Sequence, residues 1–156
     1  MKGKWKLLIV CVAIPLLVGV IVALLTRNSM MLFGQLNQPP LSPPGWLFPV
    51  VWTILYTAMG VASYLYIMAM PPITEAPKGL VFYGIQLLLN FLWPILFFNL
   101  QRFGLAFACL LLLWVFILAT LIQFGKVSKL AAYLLIPYLV WVTFAGYLNL
   151  GIALLN

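Results

Sequence analysis

The chain has 156 residues, 67% of them hydrophobic and only 6% charged, with a net charge of +7. A soluble domain carries roughly 25% charged residues, so an ordinary water-soluble fold is excluded and a single integral membrane domain, residues 1–156, is predicted. The eight basic residues are scattered, so the charge says nothing about nucleic acid and reports topology instead; the expected partner is the lipid bilayer, with no nucleic acid.

A helical span needs about 20 apolar residues. The first stretch to qualify is 7–25, behind the basic segment Met1-Lys2-Gly3-Lys4-Trp5-Lys6. Its apolar run is too long for a signal-peptide core and has no clear small-x-small cleavage site, so it reads as a retained span. Residues 26–45 then form a long connection, of the kind that serves as a lid or a linker. Its proline pairs, Pro39-Pro40 and Pro43-Pro44, cannot sit inside a helix, and residues before proline are pushed to extended geometry. Residues 38–43 are therefore expected to be extended and stiff. Pro44-Gly45 closes the loop, and an aromatic helix opens with Trp46, Phe48, Trp52 and Tyr56. A rigid cover leading into an aromatic wall predicts the rim of an apolar binding site. Trp5 and Trp46, near helix ends, fit membrane-interface anchors.

The remaining spans are 46–70, 79–100, 103–124 and 130–155. They are joined by the proline-rich turn Pro71–Lys78, by Gln101-Arg102, which forces an antiparallel hairpin, and by a short polar turn from Gly125 to Lys129. Length and the lack of period-two alternation exclude strands. Every backbone group must be paired within lipid, so the prediction is an all-α membrane protein, a five-transmembrane-helix bundle with its termini on opposite sides. Lys2, Lys4, Lys6, Lys78, Lys126 and Lys129 fall on one side, and only Arg27 and Arg102 on the other. In a bacterial cell membrane this puts the N-terminus in the cytoplasm and the lid and C-terminus outside. No internal repeat is evident, which weighs against an inverted-repeat transporter.

The chemistry is narrowed by what the spans lack. Glu75 is the only carboxylate side chain and lies in a loop; no Asp, His, Lys or Arg lies in any span. Proton-coupled transport needs an ionisable group at membrane depth, and hydrolases need an acid/base pair or an activated nucleophile. Cys11 and Cys109 lie in spans, with no histidine in the chain and no Cys-x-x-Cys, so no metal site is expected. Aromatic surface, amides, hydroxyls and sulfur remain.

In the third span Gln86, Asn90, Trp93 and Phe97 share one face at i, i+4, i+7, i+11. Amides at this depth should point into the bundle. Pro94 has no N–H, so the Asn90 carbonyl loses its usual partner and could offer a backbone acceptor beside the side chain. Interhelical bonding and ligand contact both account for this face. The second span carries Trp52, Tyr56, Met59 and Ser63 on one stripe, and the fifth carries Pro137, Trp141, Ala145 and Leu148. At a rise of about 1.5 Å per residue, Trp52 lies about 9 Å and Trp93 about 10 Å below the outer helix ends, with Trp141 deeper. Small-x-x-x-small pairs at Ala58/Ala62 and Gly104/Ala108 permit close helix approach and a homodimer.

These residues resemble the TspO/MBR family, the translocator protein or peripheral benzodiazepine receptor group, whose bacterial members are called tryptophan-rich sensory proteins. The resemblance is carried by Pro43-Pro44-Gly45, Phe48, Trp52, Leu55-Tyr56 and Gly60, by Asn90-Phe91-Leu92-Trp93 and Phe97-Phe98, and by Pro137-Tyr138-Leu139-Val140-Trp141 and Tyr147-Leu148-Asn149. It implies five transmembrane helices and a pocket under the first loop for porphyrins, sterols and flat drugs, with a role in tetrapyrrole regulation or stress response. Pro43 matches the lid, and Trp52, Asn90, Trp93, Trp141 and Ala145 match pocket-lining positions; with Phe33, Tyr56 and Phe97 these make the candidate ligand-binding set. Two departures stand out. Leu41 replaces a frequent lid tryptophan, and Phe33 lies near a position often held by Tyr or Trp, so ligand preference is expected to diverge at the lid. No basic residue follows Tyr147, so a sterol-recognition pattern is absent.

Three functional readings follow. In the first, a flat ligand stacks on Trp52, Trp93 and Trp141, Asn90 supplies a polar contact and Arg27 meets acidic groups at the rim. With no histidine to ligate haem iron, protoporphyrin IX is the expected ligand and no cofactor is obligatory. In the second, the protein is a light-dependent porphyrin-degrading enzyme, with Trp52 and Trp141 as the residues the resemblance implicates. The third is a small-molecule transporter.

Overall fold

The structure, a computed structural model, describes residues 2–71 and 77–156. Its helices are α1 (Lys2–Thr26), α2 (Met30–Phe33), α3 (Leu47–Ala69), α4 (Lys78–Pro94), α5 (Phe103–Gly125) and α6 (Lys129–Leu155), and a π-helical segment, Ile95–Asn99, continues α4. Five of these units are long and apolar enough to cross a membrane: α1, α3, α4 with its π extension, α5 and α6. The result is an all-α, five-helix membrane bundle.

The helices close into a ring in which α1 neighbours α3, α3 neighbours α6, α6 neighbours α5, α5 neighbours α4, and α4 returns to α1. The half of the bundle remote from the 26–45 connection is solid. Met59, Ala62, Leu113, Ile117, Phe124 and Leu135 are fully buried there, and Tyr66 stacks on Phe124 at 4.3 Å between ring centroids. Lipid tails are as apolar as leucine, so such contacts hold helices together by fit rather than by escape from water. Gly60 shows how close the fit is. A Cβ there would stand 2.5 Å from the Val12 Cα and 2.6 Å from the Cys11 carbonyl oxygen, so α1 and α3 touch backbone to backbone. Ala62 is buried inside the bundle, whereas Gly104 and Ala108 lie exposed on the outer surface of α5.

Several expectations are corrected. The first helix begins at Lys2 rather than residue 7, since a helix already satisfies its backbone and can run on past the hydrocarbon under its lysines. The 26–45 connection contains one helical turn, α2. Residues 38–43 are not uniformly extended: Leu41 has φ 70°, in the left-handed region, and the Ser42 hydroxyl donates to the Pro39 carbonyl at 2.7 Å. Proline fixes its own φ but leaves the residue after it free to turn, and a positive φ after Pro40 is what a type II turn requires. The expected turn at Pro71–Lys78 falls largely on residues 72–76, outside the described residues. The short connections match expectation. Gln101, also at positive φ (52°), reverses the chain between the π segment and α5, and the Ser128 hydroxyl caps α6 by accepting from the Ala131 N–H at 3.2 Å. Trp5 and Trp46 are 67% and 68% exposed, as interface anchors would be.

The connection is latched at both flanks. Asn99 donates to the Leu25 carbonyl at 3.1 Å and accepts from the Ser29 hydroxyl at 2.6 Å. On the other side the Asn156 side chain donates to the Asn37 carbonyl and accepts from the Asn37 N–H. The Tyr147 hydroxyl donates to the Pro40 carbonyl at 2.7 Å. Pro39 lies directly on Gly151, where a Cβ would come within 2.6 Å of its ring.

Gly60→Ala is expected to destabilise the bundle by about 1–3 kcal/mol, the usual cost of overpacking. Gly84→Ala, which meets nothing within 4 Å, should be neutral or slightly stabilising. Thermal unfolding of both variants in one detergent checks the contrast, and equal midpoints would contradict the close α1–α3 contact.

Candidate ligand-binding site

Where the lower half is solid, the half beneath the 26–45 connection is hollow. A cavity of about 710 Å³ lies among α1, α3, α4 and α6, within the size range of small-molecule sites. Helix α5 lines none of it and packs behind α4 and α6.

The floor is a chain of side-chain hydrogen bonds. Tyr56 donates to the Asn90 amide oxygen at 2.6 Å, the Asn90 amide nitrogen donates to the Tyr138 hydroxyl at 2.8 Å, and Tyr138 donates to the Gln86 amide oxygen at 2.6 Å. This ties α3, α4 and α6 at one level. All four side chains are buried, where an unpaired polar group would be costly.

The walls are aromatic. Trp52 lies 5.5 Å from Tyr56 and 6.2 Å from Tyr138 between centroids. Trp93 donates its indole N–H to the Asn149 side-chain oxygen at 2.9 Å, and Asn149 in turn donates to the Phe103 carbonyl at 2.9 Å, which fixes the indole against α6 and α5. An arc of rings closes the upper part: Trp141 to Phe48 (6.1 Å), Phe48 to Phe33 (6.1 Å), and Phe33 to Phe98 (5.4 Å) and Phe97 (6.0 Å). Phe33 sits on α2, so the single helical turn supplies the cover.

The polar inventory is one-sided. The Thr26 and Thr53 hydroxyls bond the Val22 and Pro49 carbonyls of their own helices, and Tyr56, Asn90, Trp93 and Asn149 are engaged as described. Among the described residues the indole N–H groups of Trp52 and Trp141 make no hydrogen bond within the protein. Among the described residues Arg27 is the one charged lining residue, and no carboxylate lines the cavity.

Of the candidate residues, Phe33, Trp52, Tyr56, Asn90, Trp93, Phe97, Trp141 and Ala145 come together around this space. Pro43 does not line it. Phe33 and Met30 of α2 do line it. Leu41 is 84% exposed and lies outside the cavity, so it does not touch the site. Gln86 belongs to the hydrogen-bonded floor, and Pro137 faces a groove on the outer surface between α3 and α6, with Trp141 lining both spaces. The Asn90 amide is an interhelical tie as well as a lining group. Lining residues outside the candidate set include Leu16, Gly19, Val20 and Ala23 of α1, Arg27, and Phe48, Phe98 and Asn149. Phe48 shares the i, i+4, i+8 stripe of Trp52 and Tyr56, a signal legible in the sequence. Helix α1 is apolar all round and offers no such signal.

The model of the TspO/MBR family matches residues 11–155. The chain belongs to the TspO/MBR family. The tryptophan-rich protein TspO of Chlorobaculum tepidum is 40% identical over 150 residues, covering 96% of this chain and 95% of the relative. The translocator protein of Bos taurus is 38% identical over 151 residues, covering 96% and 89%. Protein CrtK of Rhodobacter capsulatus is 36% identical over 124 residues, covering 80% and 78%. The TspO/MBR resemblance read from the proline loop and the aromatic stripes is thereby borne out, and in this TspO/MBR chain Trp52, Tyr56, Asn90, Trp93 and Trp141 of those stripes line the cavity.

Asn90→Ala leaves the buried Tyr56 hydroxyl without its acceptor and is expected to cost about 1–2 kcal/mol. Tyr56→Phe, which keeps the Asn90–Tyr138 bond, should cost about 0.6 kcal/mol. Thermal unfolding in detergent measures both, and an Asn90→Ala midpoint at or above that of Tyr56→Phe would refute the order.

Proposed function

We propose that this protein binds flat, apolar, aromatic molecules, metal-free porphyrins foremost, in the cavity beneath α2. The observation that carries the reading is three indoles, Trp52, Trp93 and Trp141, around one space whose unengaged polar groups are indole N–H donors and a single guanidinium. Indole faces stack on a planar ring, each aromatic pair adding about 0.5–1.5 kcal/mol beyond burial. A tetrapyrrole offers the ring for the walls and acceptor groups for the donors. The lysine distribution favours a cytoplasmic N-terminus, with the cavity on the outer side of a bacterial membrane. Relatives carry the words "sensory" and "translocator" in their names; reversible binding of a tetrapyrrole in the outer half of the membrane serves either role.

Titration of the purified protein with protoporphyrin IX in the dark, followed by tryptophan fluorescence, should give saturable quenching. Trp52→Ala and Trp93→Ala should each raise Kd by about 2–10-fold. Quenching that rises linearly without saturation would remove the porphyrin reading.

A second reading is photo-oxidation of the bound porphyrin, favoured by the presence of both Trp52 and Trp141 at the cavity wall. Trp141→Phe should then abolish light-dependent loss of porphyrin absorbance while leaving dark binding largely intact. Bleaching at the wild-type rate in that variant would rule the photochemistry out.

A further inference from the structure

Among the described residues Arg27 stands alone around the cavity in carrying charge. It directly follows the last residue of α1, at the start of the turn that leads into α2. That turn is held on both sides: Asn99 bonds the Leu25 carbonyl and the Ser29 hydroxyl, and the Ser29 N–H donates to the Thr26 carbonyl at 3.0 Å. The backbone that carries the guanidinium is thus anchored to the π segment after α4. The nearby lining is apolar, with Met30 and Phe33 on α2 and Phe98 on the π segment. Deeper in, among the described residues, every polar side chain except the two indole N–H groups is already engaged.

We infer that Arg27 is the anion-recognition group of this cavity and that it selects acidic amphiphiles, with a flat apolar body for the indole walls and a carboxylate at one edge for the guanidinium. The inference rests on the ligand-binding reading above and specifies which ligands that site takes and which way round they sit. An ionised carboxylate in the aromatic depth would be unpaired and unhydrated, which is strongly unfavourable. At the rim it meets a planar fork of N–H donors that matches carboxylate geometry and stays partly hydrated. The ring therefore enters first and the acid edge stays uppermost. A small hydrophilic anion lacks the body that the apolar neighbours of Arg27 require.

The test compares protoporphyrin IX with its dimethyl ester, which keeps the ring and removes the charges, on wild type, Arg27→Gln and Arg27→Lys in the dark. Charge-assisted hydrogen bonds are strong enough that Arg27→Gln should raise Kd for the acid by about 10-fold or more, leaving the ester within about 2-fold. Arg27→Lys should recover only part of the loss, since it keeps the charge without the fork. Raising ionic strength from about 0.1 M to about 1 M, which shortens the Debye length from about 10 Å to about 3 Å, should weaken the acid and not the ester. Equal shifts for acid and ester, or no shift for either, overturn the role of Arg27 while leaving the binding reading intact. If wild type binds neither compound, the binding reading itself fails, and the role of Arg27 falls with it.

Discussion

Inside a bilayer, an apolar side chain gains little by leaving lipid for protein, so helix order must come from fit and from hydrogen bonds. The relay from Tyr56 through Asn90 and Tyr138 to Gln86 is a buried constraint of this kind, joining three helices. It pins α3, α4 and α6 at one depth. Below it the helices pack solidly around Phe124 and Ile117; above it they part, and the cavity is the space between them. The floor of the site and the fastening of the bundle are therefore the same set of atoms. Polar groups used for fastening are withdrawn from the ligand, which is why the unengaged donors lie higher, on Trp52, Trp141 and Arg27.

The two remaining walls are held by different means. Helix α1 meets α3 backbone to backbone at Gly60 in the lower half, and near its C-terminal end it is tied by Asn99 bonding the Leu25 carbonyl. Asn99 ends the π segment, and that segment starts directly after Pro94. The proline, which cannot donate a backbone hydrogen bond, thus marks a change of helix type, as π turns often do at functional sites. The cover is fastened at both flanks, by Asn99 on one side and by Asn156, Tyr147 and Gly151 on the other, while Leu41 and Trp46 remain exposed.

Membership of the TspO/MBR family and the geometry of the cavity meet in the aromatic arc. Phe48 and Phe33 have no polar atom and no stripe of their own in common, yet they bridge Trp141 on α6 to Phe97 and Phe98 after α4. The aromatic arc is built from four separate stretches of chain, and each keeps the next in place. A flat guest would meet rings already packed edge to face, with few rotamers left to freeze.

The sequence by itself determined the five spans, because crossing lipid demands a long uncharged run with every backbone bond closed within the helix, and that demand is local. It also determined which helix faces look inward, since the 3.6-residue period places Trp52 with Tyr56 and Asn90 with Trp93 whatever their neighbours are. Only the tertiary structure decided what those faces meet. A period shows that Asn90 points inward; it does not show that Tyr56 and Tyr138 engage both ends of its amide. Proline restricts its own φ, but the direction in which Leu41 turns is set by Pro39 lying on Gly151 and by Tyr147 holding Pro40, contacts more than a hundred residues apart in sequence. Helix α1 is apolar on every side, so which of its residues would line a cavity was settled only by where Gly60 lets it touch α3.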